Sequence, residues 1–399
     1  MLCSNCNKNV AVIFVNKMED GKMKTEGLCI PCAKKKGIAP MDQIIQQTGM
    51  NPDDFENKKN EYVLDYRTKR LTIIDTNKFV DYLAKKGLYE SYISFIQGNI
   101  ERFNLYTFLD KNHILSDVDK FEKVIYNDVK YSHKKDKQMN EITLFIRDSY
   151  GDPYIPGSSI KGALMNFLLV DYIVKNRDKY KNEIKEINRM KNQPYHKYKK
   201  NVSGIISNIE KDILYGNGGN DKKGHGISVS DTYNSENLGT NIFQDIDQKM
   251  EGKRQGYNTM PNYREYITSR SKMSFDISLD FEKIKHGKLG IETIEDLLSS
   301  LKNAADYLVK NILKQNNKSN IILGGNTGYH QKTVVHALFP EDRERVEAVR
   351  LLINNSKHNK SKGAAIRYHL NDKNYSPRVI NRVDSNNELA GMANIAKEV

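Results

Sequence analysis

The sequence predicts an α+β fold built from more than one unit. Three observations carry this. Short apolar runs of strand length alternate loosely with longer amphipathic runs, at βαβ-like spacing rather than the strict alternation of a doubly wound sheet. Two glycine-rich turns each open onto a helix-like stretch. All four cysteines fall within the first 32 residues, as two Cys-x-x-Cys pairs. At 399 residues the chain exceeds one average domain, so two or three are expected.

The cysteines come first in the chain. Cys3 and Cys6 form one pair and Cys29 and Cys32 the other, separated by a strand-like run, Val10 to Asn16, a turn at Glu19-Asp20-Gly21-Lys22 and a second polar strand. Tetrahedral Zn²⁺ needs four soft ligands, and each Cys-x-x-Cys turn supplies two, so residues 1–36 are expected to form a zinc ribbon. Four protein ligands leave no open position, which makes the role structural. Residues 37–60 read as a linker.

From Glu61 onward, Tyr62 to Tyr66 and Leu71 to Asp75 read as strands joined by a turn at Arg67-Thr68-Lys69-Arg70. Asn77 to Lys86 reads as a helix with Phe79, Tyr82 and Leu83 on one face. Ile142 to Ile146 reads as a strand leading to a helix over 158–175, then a charged helical stretch over 176–213. Beyond a glycine-rich loop, Ile227 to Asp231 is a strand. Residues 235–270 look polar and loop-like, Met273 to Asp280 alternates as a half-buried strand, and Ile291 to Gln315 is a long amphipathic helix. Thr333 to Leu338 is helical, and the last 45 residues are polar, basic and partly irregular.

The chain has 63 Lys and Arg against 50 Asp and Glu, a net charge of +13. This excess calls for a polyanionic partner. A membrane surface would need a basic amphipathic helix with an aromatic face. None stands out, and no run reaches the ~18 apolar residues of a membrane span. The first residues lack a secretory leader pattern, so a cytoplasmic location is expected. Nucleic acid is the expected ligand.

Two segments carry the chemistry. In Tyr154-Ile-Pro-Gly-Ser-Ser-Ile-Lys-Gly-Ala-Leu164, Pro156 and Gly157 make a turn, and Ser158 or Ser159 is placed to cap the helix that follows. Free amides and Lys161 at a helix N-terminus suit a phosphate. In Gly324-Gly-Asn-Thr-Gly-Tyr-His-Gln-Lys-Thr333, the exposed amides of a glycine loop can follow a sugar–phosphate backbone, with Tyr329, His330 and Lys332 adding stacking and charge. Neither is a Walker loop: Ala163-Leu164 and Gln331 stand where the phosphate-binding pattern needs other residues.

Together these segments resemble the RAMP superfamily of CRISPR-associated proteins, and within it the family of the fifth Csm subunit of type III-A complexes. Tyr62 to Tyr89 and Leu370 to Arg378 are similar to that family's early and late regions. The resemblance implies a ferredoxin-like (RRM-like) fold with a glycine-rich loop that touches RNA, an N-terminal domain over 61–234 and a C-terminal one over 235–399. It implies a non-catalytic subunit that caps the 3′ end of CRISPR RNA (crRNA) and supports its maturation. The implied partners are crRNA, other Csm subunits, chiefly the repeated backbone RAMP subunit, and host nucleases that do the cutting. It places Gly157, Ser158, Ser159 and Lys161 at an RNA-facing turn, and Gly324, Gly325 and Gly328 in the loop beside Lys332. The chain departs from the pattern at Met165, where many RAMP proteins carry arginine, and before Glu61, where they carry a further strand. The ribbon resembles zinc modules of arginine-kinase activators and Clp-type ATPases, which makes an adaptor role the alternative. A RAMP-type endoribonuclease is the other alternative, with His330 or His225 as the acid–base group.

Overall fold

A computed structural model describes residues 4–6, 13–19, 22–28, 56–57, 61–65, 67–98, 104–129, 141–216, 225–233, 238–250, 256–353, 369, 372–383 and 388–398. The chain divides into two units, Met1–Asp54 and Phe55–Val399. In the first, β1 (Ile13–Glu19) and β2 (Lys22–Leu28) form an antiparallel hairpin whose register runs from Ile13 opposite Leu28 to Glu19 opposite Lys22.

The second unit is α+β, as expected. A two-residue strand, β3 (Glu56–Asn57), precedes an antiparallel pair, β4 (Tyr62–Asp65) and β5 (Arg70–Ile74). Helix α1 (Thr76–Lys85) starts at Asp75, whose carboxylate accepts from the Asn77 and Lys78 amides, a side-chain N-cap that the sequence supplies directly. Phe79 and Leu83 are its buried stripe. Helices α2 (Tyr89–Gly98) and α3 (Leu105–Lys111) follow, and β6 (Glu122–Tyr126) completes a three-stranded sheet beside β5. Phe79, Tyr92, Phe108 and Phe121 pack ring against ring in this region's own apolar cluster.

The strand expected over 142–146 is shorter, β7 (Glu141–Thr143). It leads to α4 (Gly157–Lys175), which is apolar on most sides because it runs through the largest core. Helices α5 (Lys181–Arg189) and α6 (Tyr195–Tyr215) take up the charged stretch. Strand β8 (Ile227–Val229) then leads to a correction. Within the span read as loop-like, the described residues include two long strands, β9 (Thr240–Lys249) and β10 (Gly256–Ile267), paired antiparallel. Pro261 falls in the middle of β10, where a proline removes a ladder donor. The structure accommodates it at the register shift between Thr259 and Tyr263, where the β9 ladder is interrupted.

Strand β11 (Ile277–Leu279) pairs with β8. The long helix is α8 in chain order after the short α7 (Phe281–Ile284); it runs Ile294–Tyr307 behind a Thr293/Asp296 capping box and passes into a π-helical turn, Leu308–Ile312. After β12 (Ile321–Ile322) come the glycine-rich loop and two helices, α9 (Val335–Leu338) and α10 (Asp342–Ile353). The tail is more ordered than its polarity suggested: β13 (Val379–Val383), β14 (Glu388–Leu389) and β15 (Met392–Ala393) all pair. The main sheet runs β14-β13-β9-β10-β7-β3, with β10 and β7 parallel and the other neighbours antiparallel. Strands on both sides of residue 234 thus share one sheet, and residues on both sides share one core.

Candidate nucleic-acid interface

The first motif is a stitched corner. Ile155 N donates to Thr232 Oγ1 at 2.8 Å, Thr232 N returns to Ile155 O at 3.0 Å, and Gly157 N donates to Asp231 Oδ1 at 2.7 Å. Asp231 lies just past β8 and does the capping expected of Ser158 or Ser159. The helix flank is Pro156 and carries no side-chain cap of its own. One amide of this helix start is therefore already spent on a carboxylate, and that negative charge beside the others weakens the case for a free anion cradle there. Gly157 is buried, Ser158 and Ser159 are exposed, and Lys161 is half-buried. His225 sits close enough that the Lys161 charge joins burial in lowering its pKa. Its Nδ1 accepts from Ile227 N at 3.3 Å.

The second motif is a loop pinned from below. Gly324 and Gly328 have φ of 102° and 80°, left-handed backbone that glycine adopts without strain. Asn326, between them, donates from Nδ2 to Asp245 Oδ1 at 2.9 Å and lies 2.8 Å from the Tyr266 hydroxyl, while its Oδ1 accepts from Asn381 Nδ2 at 2.5 Å. The Tyr266 hydroxyl also donates to Asp245 Oδ1 at 3.2 Å. The loop is thereby fastened to β9, β10 and β13 at once. Lys332 folds back so that Nζ donates to Gly325 O at 3.1 Å.

Two residues expected to face RNA turn inward. Tyr329 packs on the large core, edge-on to His336 with ring centroids 6.4 Å apart. His330 is 2% exposed, stacks on His336 at 5.6 Å, and places Nε2 3.1 Å from Pro377 O. Burial lowers its pKa to about 4. An acid–base role at His330 does not fit this placement, because the ring neither reaches solvent nor titrates near neutrality. The correction has a simple cause: a helical turn, Tyr329–Gln331, follows Gly328 and rotates both rings toward the core. What remains outward is Ser158, Ser159, Lys161, Gly324, Gly325 and Lys332, with both segments rooted in the core that holds Ile160, Leu164, Ile321 and Ile322.

The sequence reading missed Asp245, Tyr266, Asn326 and Asn381, which position the loop. Their signal was weak because Asp245, Tyr266 and Asn381 are polar residues in strands that are half-buried on both faces, and Asn326 is a loop residue whose partners are 55 to 81 positions away. Asp245 is 7% exposed, and burial pushes its carboxyl up to about 6 despite the Arg264 charge and the Tyr266 hydrogen bond. Between the unfolded carboxyl's ordinary value and about 6, the folded protein binds more protons, so stability falls as pH rises through that window. Above pH 6 the ionised carboxylate costs about 2–3 kcal/mol. Asp245→Asn keeps the acceptor for Tyr266 and Asn326 and removes the charge. Its melting temperature is expected to exceed wild type at pH 7.5, by a margin that narrows as pH falls from about 6 towards the ordinary carboxyl value. Parallel pH–stability curves for the two proteins would refute this.

Of the metal ligands expected in the first unit, Cys3, Cys29 and Cys32 lie outside the described residues. Cys6 lies in a turn at residues 4–6, and the hairpin register ends at Leu28, the residue before Cys29. Four thiolates are a donor set suited to Zn²⁺. Among the described residues no helix is long and apolar enough to cross a membrane.

Comparison with known proteins bears on the same segments. The RAMP superfamily profile matches residues 136–329, which takes in the β7 strand, the Gly157 corner and the glycine loop as far as Tyr329. A Csm5 protein of Enterococcus italicus is 34% identical over 128 residues, 28% of this chain and 37% of that one. The Csm5 of Streptococcus thermophilus is 27% identical over 222 residues, 53% of this chain and 56% of that one. The chain thus spans between about a third and just over half the length of these curated relatives. A chain of a cryo-EM Csm–crRNA–target RNA ternary complex from a type III-A system superposes with a TM-score of 0.54 at 15% identity, covering 85% of this chain and 94% of that one. The segment similar to the RAMP superfamily, residues 136–329, thus holds the β7 strand, the Gly157 corner and the glycine loop as far as Tyr329.

Proposed function

We propose that the chain is a crRNA-binding subunit of a type III-A Csm interference complex. In this reading it holds the 3′ end of crRNA, supports 3′-end maturation by host nucleases without cutting RNA itself, and packs against other Csm subunits, chiefly the repeated backbone RAMP subunit, in the cytoplasm. One observation carries the reading: the Gly157 corner and the Gly324–Gly328 loop, both in the segment similar to the RAMP superfamily, set exposed hydroxyls, glycine backbone, half-buried Lys161 and, just past that segment, exposed Lys332 around one shared core. Backbone amides and lysines of this kind bind phosphates without reading sequence. The likeness of the whole chain's fold to a subunit of a Csm–crRNA complex supports it further. The main sheet with its flanking helices is taken as the ferredoxin-like element of this fold.

The paired substitution Lys161→Glu and Lys332→Glu is expected to weaken binding of single-stranded RNA about 10–100-fold and to lower the salt slope of binding by about two. Fluorescence anisotropy at four salt concentrations measures both. Unchanged affinity and slope would show that RNA lies elsewhere. Co-purification from a host, with sequencing of bound RNA, tests the complex: Csm partners and short RNAs with a uniform 5′ end are expected.

In the first unit, Cys3, Cys6, Cys29 and Cys32 are proposed to hold one structural Zn²⁺. Metal analysis of the purified chain should give one zinc per chain, and Cys29→Ser with Cys32→Ser should give none. Zinc retained by the double variant would sink the assignment.

A further inference from the structure

Behind the glycine loop lies a small cleft lined by Lys314, His330, His336, Arg345, Tyr375 and Ser376. Its floor is buried and its rim, at Lys314 and Asn374, is exposed. His336 is 2% exposed, and among the described residues neither of its ring nitrogens has a hydrogen-bond partner. The same holds for His330 Nδ1 and for Ser376 Oγ, in side chains that are likewise buried. Native interiors leave few such atoms unpaired, because each costs about 1–3 kcal/mol. Four of them on one small cleft mark a place shaped for something polar.

The charges say what it is. Lys314 and Arg345 are set against a single carboxylate, Asp342, which lies 3.0 Å from Lys314 Nζ and is also paired with Arg345 Nη2. The cleft is therefore net positive. Burial and the positive charge of Arg345 keep both imidazoles neutral; the one N–H of His330 donates from Nε2 to Pro377 O, so His336 is the imidazole with an N–H to offer. A metal cation would meet two fixed positive charges. An oxyanion would meet a guanidinium, an ammonium, a hydroxyl and the His336 N–H, and charge-assisted bonds to such groups are the strong ones.

We propose that this cleft binds a phosphate-class oxyanion, either free inorganic phosphate or the terminal phosphate of an RNA chain; the second source rests on the RNA-binding reading above. The test uses the full chain. Inorganic phosphate is titrated against chloride at equal ionic strength, following the melting temperature. RNA oligonucleotides ending in a phosphate or a hydroxyl, at either end, are compared by anisotropy. Phosphate is expected to raise the melting temperature of the wild type and to leave Lys314→Gln and His336→Phe unmoved. Lys314→Gln is an exposed change, so it reports even where His336→Phe folds poorly. An RNA-terminal source predicts about tenfold tighter binding of one phosphate-ended oligonucleotide, abolished by Lys314→Gln. Stabilisation by phosphate with no preference among RNA ends supports the free ion as the occupant. Phosphate binding without any RNA binding supports the cleft and removes the RNA reading. Hydroxyl-ended RNA that binds well, with no response to phosphate in either form, overturns the cleft and leaves the RNA reading standing.

Discussion

Glu265→Ala is expected to lower the unfolding free energy by about 3–5 kcal/mol, the range for stripping one partner from a buried ion pair. Glu265 is 2% exposed in β10 and pairs with Arg147. Its second oxygen accepts from Phe145 N at 2.7 Å. Arg147 in turn donates from Nη1 to Gly151 O at 2.8 Å, and its other nitrogen lies 3.5 Å from both the Tyr126 hydroxyl and Thr240 Oγ1. Alanine would leave the guanidinium without its counter-ion and the Phe145 amide without its acceptor, where the carboxylate is fully buried. Surface ion pairs in the same protein, such as Lys181 with Asp178, lie in water and contribute little. Urea titration of wild type and variant should show a lower midpoint with an unchanged slope. Replacing both partners by methionine should recover much of the loss, since a packed apolar pair avoids the desolvation that the charged pair bears. A loss below about 1 kcal/mol for Glu265→Ala would show that water reaches the pair. The consequence extends to the candidate interface, because Arg147 holds the turn at 148–152 that feeds the Gly157 corner.

Legibility in the sequence followed the strength of the local signal. Strands β4 and β5 and helices α1 and α4 were readable from apolar periodicity that acts within a few positions. The β9–β10 hairpin was not, because its residues are polar and half-buried, so alternation is faint, and Pro261 breaks the ladder without ending the strand. At the candidate interface, the glycine positions and the outward lysines followed from sequence and resemblance. The inward rotation of Tyr329 and His330 did not, since it depends on a turn whose direction is set by core partners at Tyr375 and Pro377, more than 40 positions away. Asp231 as the cap of α4, and Asp245 and Asn326 as the loop's anchors, are likewise long-range pairings that no local pattern announces.

Gly157→Ala is expected to cost about 3–4 kcal/mol, beyond the range of an ordinary helix substitution, where alanine in place of glycine stabilises. A Cβ at this position would stand 2.4 Å from Val229 O and 2.5 Å from Ser230 O. Both are backbone atoms of the strand that the corner is stitched to, so neither yields by a rotamer change. The backbone conformation at Gly157 is not the reason, as its φ is not positive. The requirement is proximity: the helix start crosses the end of β8 closely enough for Gly157 N to reach Asp231. This separates two readings of the glycine, as an RNA contact or as a packing device. Gly162, exposed on the same helix with open space around a Cβ, is the control, and Gly162→Ala should be neutral or stabilising by up to about 1 kcal/mol. If Gly157→Ala melts with wild type yet loses RNA, the residue touches the ligand. If it melts lower, and RNA affinity recovers once the temperature is dropped below its transition, the glycine serves the corner and the outward Ser158, Ser159 and Lys161 serve the RNA. The backbone contacts favour the second outcome.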